Sequence, residues 1–280
     1  MTPHRHQRSA SADALLARLG RLTAQAREGA ELHQARVELA EALQRELLPA
    51  SLPSVPGLHT AARYAPARHG LNIGGDWYDG FPLPEGALGF SIGDVEGHDV
   101  EAAAYMGQVR IAVRAVAAAA ADPGEVLSRA NDLMLSVDRD LFATCTFLRF
   151  DPRTREIHSA RAGHVPAVWA TEDGACGVVD DEGGLPLGML PGSRYPVTRR
   201  RMVTAGVYVL LTDGVVEGPS FPIDVGLARV AEVARAGAVA GAAAGSLAAE
   251  VMKVADSTGH VDDAAVLVLR HDGRGGRGGG

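Results

Sequence analysis

The chain has 280 residues, 46% of them apolar and 22% charged, with a net charge of −7. This length and composition fit one large globular domain, or one domain and an appendage. The acidic balance argues against a nucleic-acid partner, which needs clustered Lys and Arg to neutralise phosphates. Two cysteines, Cys145 and Cys176, cannot by themselves make a disulfide framework or a structural zinc site.

Residues 1–12 are polar and read as a disordered tail. Residues 13–49 read as a helical regulatory or linker segment, rich in Ala, Leu, Glu, Arg and Gln. Leu15, Leu19, Leu22, Leu32, Leu39, Leu43 and Leu47 fall at helical spacings, and Gly29 is expected to break the run. Two readings stay open: helices packed on their own domain, or a dimerising signalling helix. Pro49, Pro53 and Pro56 punctuate a connector. The main domain is expected over 50–271, followed by a Gly-rich flexible tail, 272–280.

Inside that domain, strands are predicted at 59–65 and 87–93, the second ending at Asp94. A helix follows over 100–121 with Met106, Val109, Val113 and Val116 on one face. Asp122-Pro123-Gly124-Glu125 predicts a capped helix start. Val126, Ala130, Leu133 and Val137 of that helix are expected to point inward. Strands are predicted at 141–150, 156–162, 165–170, 197–203 and 207–212. The segment 224–255 reads as helical with interruptions near Gly241 and Gly245, and 264–269 as a last strand. Helices grouped between runs of strands point to an α+β layered fold rather than a βαβ repeat. No apolar run approaches the roughly 20 residues that span a bilayer. The N-terminus lacks a signal-peptide core, and the cysteine usage fits a reducing, cytoplasmic compartment.

Four runs set Asp beside an apolar strand: IGGDWYD (73–79), SIGDVEGHD (91–99), LLTDG (210–214) and HVDDAAVLVL (260–269). One Asp-Gly is ordinary turn chemistry. Several carboxylates gathered at strand ends repel unless something positive lies between them. Oxygen ligands without paired His or Cys favour a hard cation, Mg²⁺ or Mn²⁺. The spacing alone does not show that the four runs converge.

Nine segments in order, over residues 39–270, resemble the SpoIIE/RsbU group of PP2C-like (PPM) protein serine/threonine phosphatases. They are LQRELLP (43–49), RYAPA (63–67), IGGDWYDGFPLP (73–84), IGDVEGHDVEAAAYMGQVR (92–110), FATCTF (142–147), ARAGHVPA (160–167), GLPLGML (184–190), LLTDGVVE (210–217) and DDAAVLVLR (262–270). The resemblance implies a four-layer α-β-β-α sandwich with a helical N-terminal extension and two Mn²⁺ or Mg²⁺ ions at one end. It implies catalytic, metal-binding roles for Asp76, Asp94, Asp213 and Asp262, with the backbone carbonyl of Val95 as a further ligand. Asp263 and Asp99 are weaker candidates: Asp263 as an outer ligand or cap, Asp99 as a helix cap or an extra carboxylate, where many relatives have Gly. Asp79 is expected to act through water or to order its loop.

His98 and His164 read either as structural loop histidines or as acid/base groups. Neither a phosphate-holding Arg nor a proton donor is placed, although Arg63 and Arg68 lie near the first motif. GLPLGML reads as a tight turn or as a loop shaping substrate access. The resemblance further implies hydrolysis of phosphoserine or phosphothreonine on an anti-sigma-factor antagonist of the STAS type, in a bacterial partner-switching pathway. Residues 13–48 would mediate homodimerisation or binding of a separate sensor protein. The alternatives are a catalytically weak binding module of the same fold and a metal-dependent phosphatase of small molecules.

Overall fold

The computed structural model describes residues 4–66, 74–97, 100–137, 141–219, 221–259 and 262–273. The chain divides into two units, Met1–Leu43 and Gln44–Gly280. Helix α1, His4–Leu47, makes up the described part of the first unit. It takes in residues 4–12, where composition alone predicts disorder. It also runs unbroken through Gly29. Gly29 lies in open space, and one exposed glycine costs a helix only about 1 kcal/mol against Ala. Leu19, Leu22 and Leu32 are exposed along it.

Among the described residues of the second unit, ten strands form two antiparallel sheets. The first contains β1 (Leu58–Ala65), β6 (Val168–Thr171), β7 (Cys176–Val178), β9 (Gly206–Leu211) and β10 (Ala264–His271), in the order β1-β10-β9-β6-β7. The second contains β2 (Trp77–Pro82), β3 (Leu88–Val95), β4 (Ala143–Asp151), β5 (Glu156–Ala162) and β8 (Thr198–Arg201), in the order β2-β3-β4-β5-β8. Helices α2 (Val100–Ala117) and α3 (Pro123–Leu135) cover the second sheet. Helices α5 (Ile223–Val239) and α6 (Ala244–Thr258) cover the first, and a single helical turn, α4 (Asp213–Val216), leads into them.

Three apolar clusters fill the three interfaces of this α-β-β-α stack. Strand alternation sorts side chains between them. On β10, Ala264, Val266 and Val268 face α5 and α6, while Ala265, Leu267 and Leu269 face the other sheet. On β9, Val207, Val209 and Leu211 take the helix side, and Tyr208 and Leu210 the sheet side. Both faces are buried, so these antiparallel strands read as unbroken apolar runs. Phe90 and Ile92 of β3 and Leu148 and Phe150 of β4 complete the middle layer. Cys145 is fully buried among the helix-side residues, and burial pushes its thiol pKa up.

Helix α3 starts as the sequence predicts. The Asp122 carboxylate accepts the Glu125 N–H at 3.0 Å, and Glu125 accepts the Ala121 N–H at 2.6 Å. Because residues 118–122 make this capped turn, α2 ends at Ala117 rather than near 121. The buried stripe of α3 differs from expectation. Leu127, Asn131 and Met134 are buried, whereas Leu133 is exposed. Asn131 turns inward because it binds the loop after β7: it accepts the Gly188 N–H and donates to the Leu190 carbonyl, both at 3.0 Å.

Candidate metal centre

The strand register brings the acidic runs to one end of the sandwich. Asp76 directly precedes β2, and Trp77 pairs with Gly93, which sets Asp76 beside the Asp94 end of β3. In the other sheet, Val266 pairs with Leu211, which sets Asp262 and Asp263 beside Thr212 and Asp213. Thr212 joins the two sheets. Its hydroxyl donates to Asp76 Oδ2 at 2.7 Å and accepts the Ala265 N–H at 2.8 Å.

The double glycine of the first motif has a steric cause. A Cβ on Gly75 would lie 2.3 Å from the Val95 carbonyl oxygen, and one on Gly74 would lie on the Asp263 carboxylate. Val95 N–H also bonds the Gly75 carbonyl at 3.2 Å. A side chain at Gly75 would push this segment off the β3 backbone, and one at Gly74 would displace the Asp263 carboxylate.

Asp76 is fully buried, and burial first, then Asp94, Asp263 and Asp213, hold its pKa well above the usual carboxylate range; the Thr212 hydroxyl opposes them. Asp94 is pushed up to about 8 by burial and by Asp213, partly offset by its hydrogen bond with Asp76. Asp213 is raised by burial and then by Asp262. Tyr64 of β1, whose hydroxyl donates to Asp263, is raised by burial and then by Asp263 and Asp76. Among the described residues, the leading influences that raise these carboxylates are burial and other acids, with no lysine or arginine among those that lower them.

Asp76, Asp94, Asp213, Asp262 and Asp263 therefore feel one another. Asp263 is buried, whereas Asp262 is exposed and accepts the Asp263 N–H at 2.8 Å. Among the described residues no group of three or more His, Cys, Asp and Glu side chains is drawn together closely enough to hold an ion. The donor set nonetheless fits a hard divalent cation. It is oxygen-only, half of it desolvated, and it repels itself in the absence of positive charge.

Other candidates fall elsewhere. Asp79 faces α2, away from the cluster, and is held by Arg110 and Arg114 (3.0 and 3.1 Å) and by Gly80 N–H (2.8 Å). These direct ion pairs tie β2 to α2. His164 is buried, its Nδ1 2.8 Å from Thr144 Oγ1, and burial depresses its pKa to about 3. Its carbonyl accepts from Arg161, which also binds Asp181 at 2.7 Å. Arg63 is exposed on β1 and acts on Tyr78. His98, Asp99 and Arg68 lie outside the described residues. The loop 184–190 is pinned: Leu187 exchanges both backbone hydrogen bonds with Ala143, one residue from Thr144. Leu185, Met189 and Leu190 on it are exposed. Tyr64, Thr212 and Arg110 lie within segments that carry the family resemblance, but residue type and spacing alone assign them no role, and Arg114 lies outside those segments.

Two antiparallel sheets packed face to face between helix pairs, with carboxylates gathered at one end of the strands, define the PP2C-like phosphatase fold. Residues 84–272 match the family model for stage II sporulation protein E (SpoIIE), and the chain belongs to that family. It is 25% identical over 182 residues to the phosphoserine phosphatase RsbU of Bacillus subtilis, a match that takes in 65% of this chain and 53% of that protein. The chain thus spans about half the length of that relative. The structure of the RsbU and RsbW domains of a Mycobacterium tuberculosis protein aligns with a TM-score of 0.69 and 30% identity, over 81% of this chain and 63% of that one. RsbX, solved in complex with magnesium, shares the fold with a TM-score of 0.60 and 16% identity, over 79% of this chain and 99% of that one.

Proposed function

We propose that this chain is a metal-dependent protein phosphatase acting on phosphoserine or phosphothreonine, with Mn²⁺ or Mg²⁺ held at the carboxylate end of the sandwich. The observation that carries this reading is the cluster of Asp76, Asp94, Asp213, Asp262 and Asp263. Asp76 and Asp263 are buried and Asp94 and Asp213 half-buried, and neighbouring acids raise the pKa values of Asp76, Asp94 and Asp213, with no lysine or arginine among the leading influences on them. Membership of the SpoIIE family, the phosphoserine phosphatase relative and the magnesium-bound fold neighbour support it.

Asp76, Asp94, Asp213 and Asp262 would hold two ions, with the Val95 carbonyl as a backbone ligand and Asp263 behind them. Bound divalent ions supply a water of lowered pKa and offset charge on the phosphoryl oxygens. The chain's own residues do the rest. Thr212 fixes the Asp76 carboxylate by donating to Oδ2. Gly74 and Gly75 let β2 close on Val95 and Asp263. His164, held neutral by burial, does not donate a proton near pH 7. Cys145, buried with its thiol pKa raised, is unsuited to serve as a nucleophile.

The exposed Leu185, Met189 and Leu190 give apolar surface on the loop bonded to Ala143, which fits a protein rather than a metabolite as substrate. The substrate we infer is a phosphorylated STAS-type anti-sigma-factor antagonist in a cytoplasmic partner-switching pathway. The RsbU relative and the neighbour that joins RsbU and RsbW domains support that inference. Among the described residues no helix is long and apolar enough to cross a membrane. Exposed Leu19, Leu22 and Leu32 on α1 support homodimerisation or sensor binding through residues 13–48. Light scattering on the full chain tests the dimer, and a monomer at micromolar concentration removes it.

The decisive experiment is phosphate release from a phosphoserine protein with Mn²⁺, with Mg²⁺ and with a chelator. Metal-dependent release that Asp94→Asn abolishes is expected. Release that survives Asp94→Asn, or that ignores the chelator, overturns the reading.

A further inference from the structure

The end of the sandwich opposite the carboxylates carries a second feature. Strand β8 is the edge of its sheet, paired with β5 on one side through Ser159↔Thr198 to Glu156↔Arg201. Among the described residues no strand pairs with its other side. Its sequence is Thr-Arg-Arg-Arg, in a chain whose net charge is −7. Arg199 and Arg201 are exposed. The Arg200 guanidinium sits 5.3 Å over the Trp169 ring. None of the ion pairs among the described residues uses any of the three. Glu156, directly across from Arg201, reaches His158 instead, at 3.5 Å.

A cleft of about 170 Å³ opens beside this edge, lined by Trp169, Arg200, Arg201, Met202, Tyr208 and His271 among others. His271 is only 6% exposed, and its Nδ1 has no hydrogen-bond partner among the described residues. The cleft is smaller than the roughly 300 Å³ at which small-molecule pockets begin. It suits one side chain. Charge on an edge strand guards against self-pairing, and three consecutive arginines do repel a second copy of β8. They attract an acidic strand. Strand addition draws affinity from backbone hydrogen bonds and specificity from side-chain pockets beside the edge.

The geometry points to β8 and its cleft as a docking edge for an extended, acidic segment of a partner protein. The segment's backbone extends the sheet, and one of its acidic side chains enters between the arginines and His271. This does not rest on the phosphatase reading. From Ala264 to His271, β10 alone separates the edge from the carboxylates by about 23 Å at 3.3 Å per residue.

The test uses the full chain and three short peptides in which Val alternates with Glu, Lys or Gln. Binding is read by Trp169 fluorescence, with Trp169→Phe as the reporter control, and by hydrogen exchange of amides 198–201. Salt-sensitive binding of the Glu peptide, with protection of those amides, is expected. The double variant Arg199→Glu/Arg201→Glu weakens it by at least about tenfold, or ~1.4 kcal/mol, and leaves phosphate release unchanged. The proposal falls if the Glu peptide does not bind, if the Gln peptide binds equally, or if the amides stay unprotected. Tighter binding to anionic lipid vesicles than to the Glu peptide also overturns it.

Discussion

Arg110 on α2 donates to the fully buried carboxylate of Asp79 on β2 at 3.0 Å, and Arg114, one turn on, donates to the same carboxylate at 3.1 Å. Arg114 also lies 4.8 Å over the Phe81 ring. One desolvated acid thus fastens a helix to the strand that begins next to Asp76. Removing the acid leaves two guanidinium groups uncompensated, and that of Arg110 is 12% exposed. Breaking a buried pair this way costs about 3–5 kcal/mol. Asp79→Ala is therefore expected to lose about 3 kcal/mol in urea unfolding. Arg114→Ala, at a side chain 43% exposed, is expected to lose about 1 kcal/mol or less. Equal losses for the two variants would show that the pairs are not the clamp described.

Thr212 supports a second prediction. Its hydroxyl is both donor to Asp76 and acceptor from Ala265. Thr212→Val keeps the shape and strands both partners, at about 1–3 kcal/mol for each. Thr212→Ser keeps the hydroxyl. The Mn²⁺ concentration for half-maximal phosphate release is expected to rise about tenfold or more in the Val variant and little in the Ser variant. Matching curves for Val and wild type would remove Thr212 from the positioning of Asp76.

Gly75→Ala tests the closeness of β2 and β3 at the centre. The added Cβ meets backbone, 2.3 Å from the Val95 oxygen, so no side-chain rotation relieves it. Phosphate release is expected to fall by about a hundredfold, since a shift of about 1 Å at reacting groups costs that much. A fully active Gly75→Ala protein would mean that this approach of Val95 does not matter to the reaction.

Much of this was legible in the sequence, and the limits have physical causes. Strands β9 and β10 stand out because both faces are buried and their runs are unbroken. The Asp-Gly runs mark strand ends, though only the fold brings them together. Strand β2 is hidden because Asp79, Gly80 and Pro82 depress its strand signal, while burial against α2 overrides that local preference. Nothing in the sequence singles out Arg110 and Arg114, because their partner lies on another element, 31 residues before Arg110. Leu133 fits the inward period of α3, yet Asn131 takes the buried place because loop 188–190 needs its amide. Val126 and Ala130, one turn apart, are buried as their spacing predicts.

His164 gives a prediction with a definite sign. Burial lowers its pKa from 6.5 to about 3, so the folded protein keeps the ring neutral where the unfolded chain takes up a proton. The unfolded state then binds more protons as pH falls below 6.5. Stability is present in full above that pH and declines toward about pH 3, by up to about 1.4 kcal/mol per unit. His271, lowered to about 4, contributes in the same direction. The raised pKa of Asp94 works the other way, with stability lost as pH rises through about 8 in metal-free protein. Both contributions are common to wild type and to His164→Gln, so the difference between the two isolates His164. The unfolding free energy of His164→Gln, measured in urea from pH 6.5 downward, is expected to fall less steeply by about one proton's worth of slope. Parallel curves would mean that His164 is protonated as readily in the folded chain as in the unfolded one.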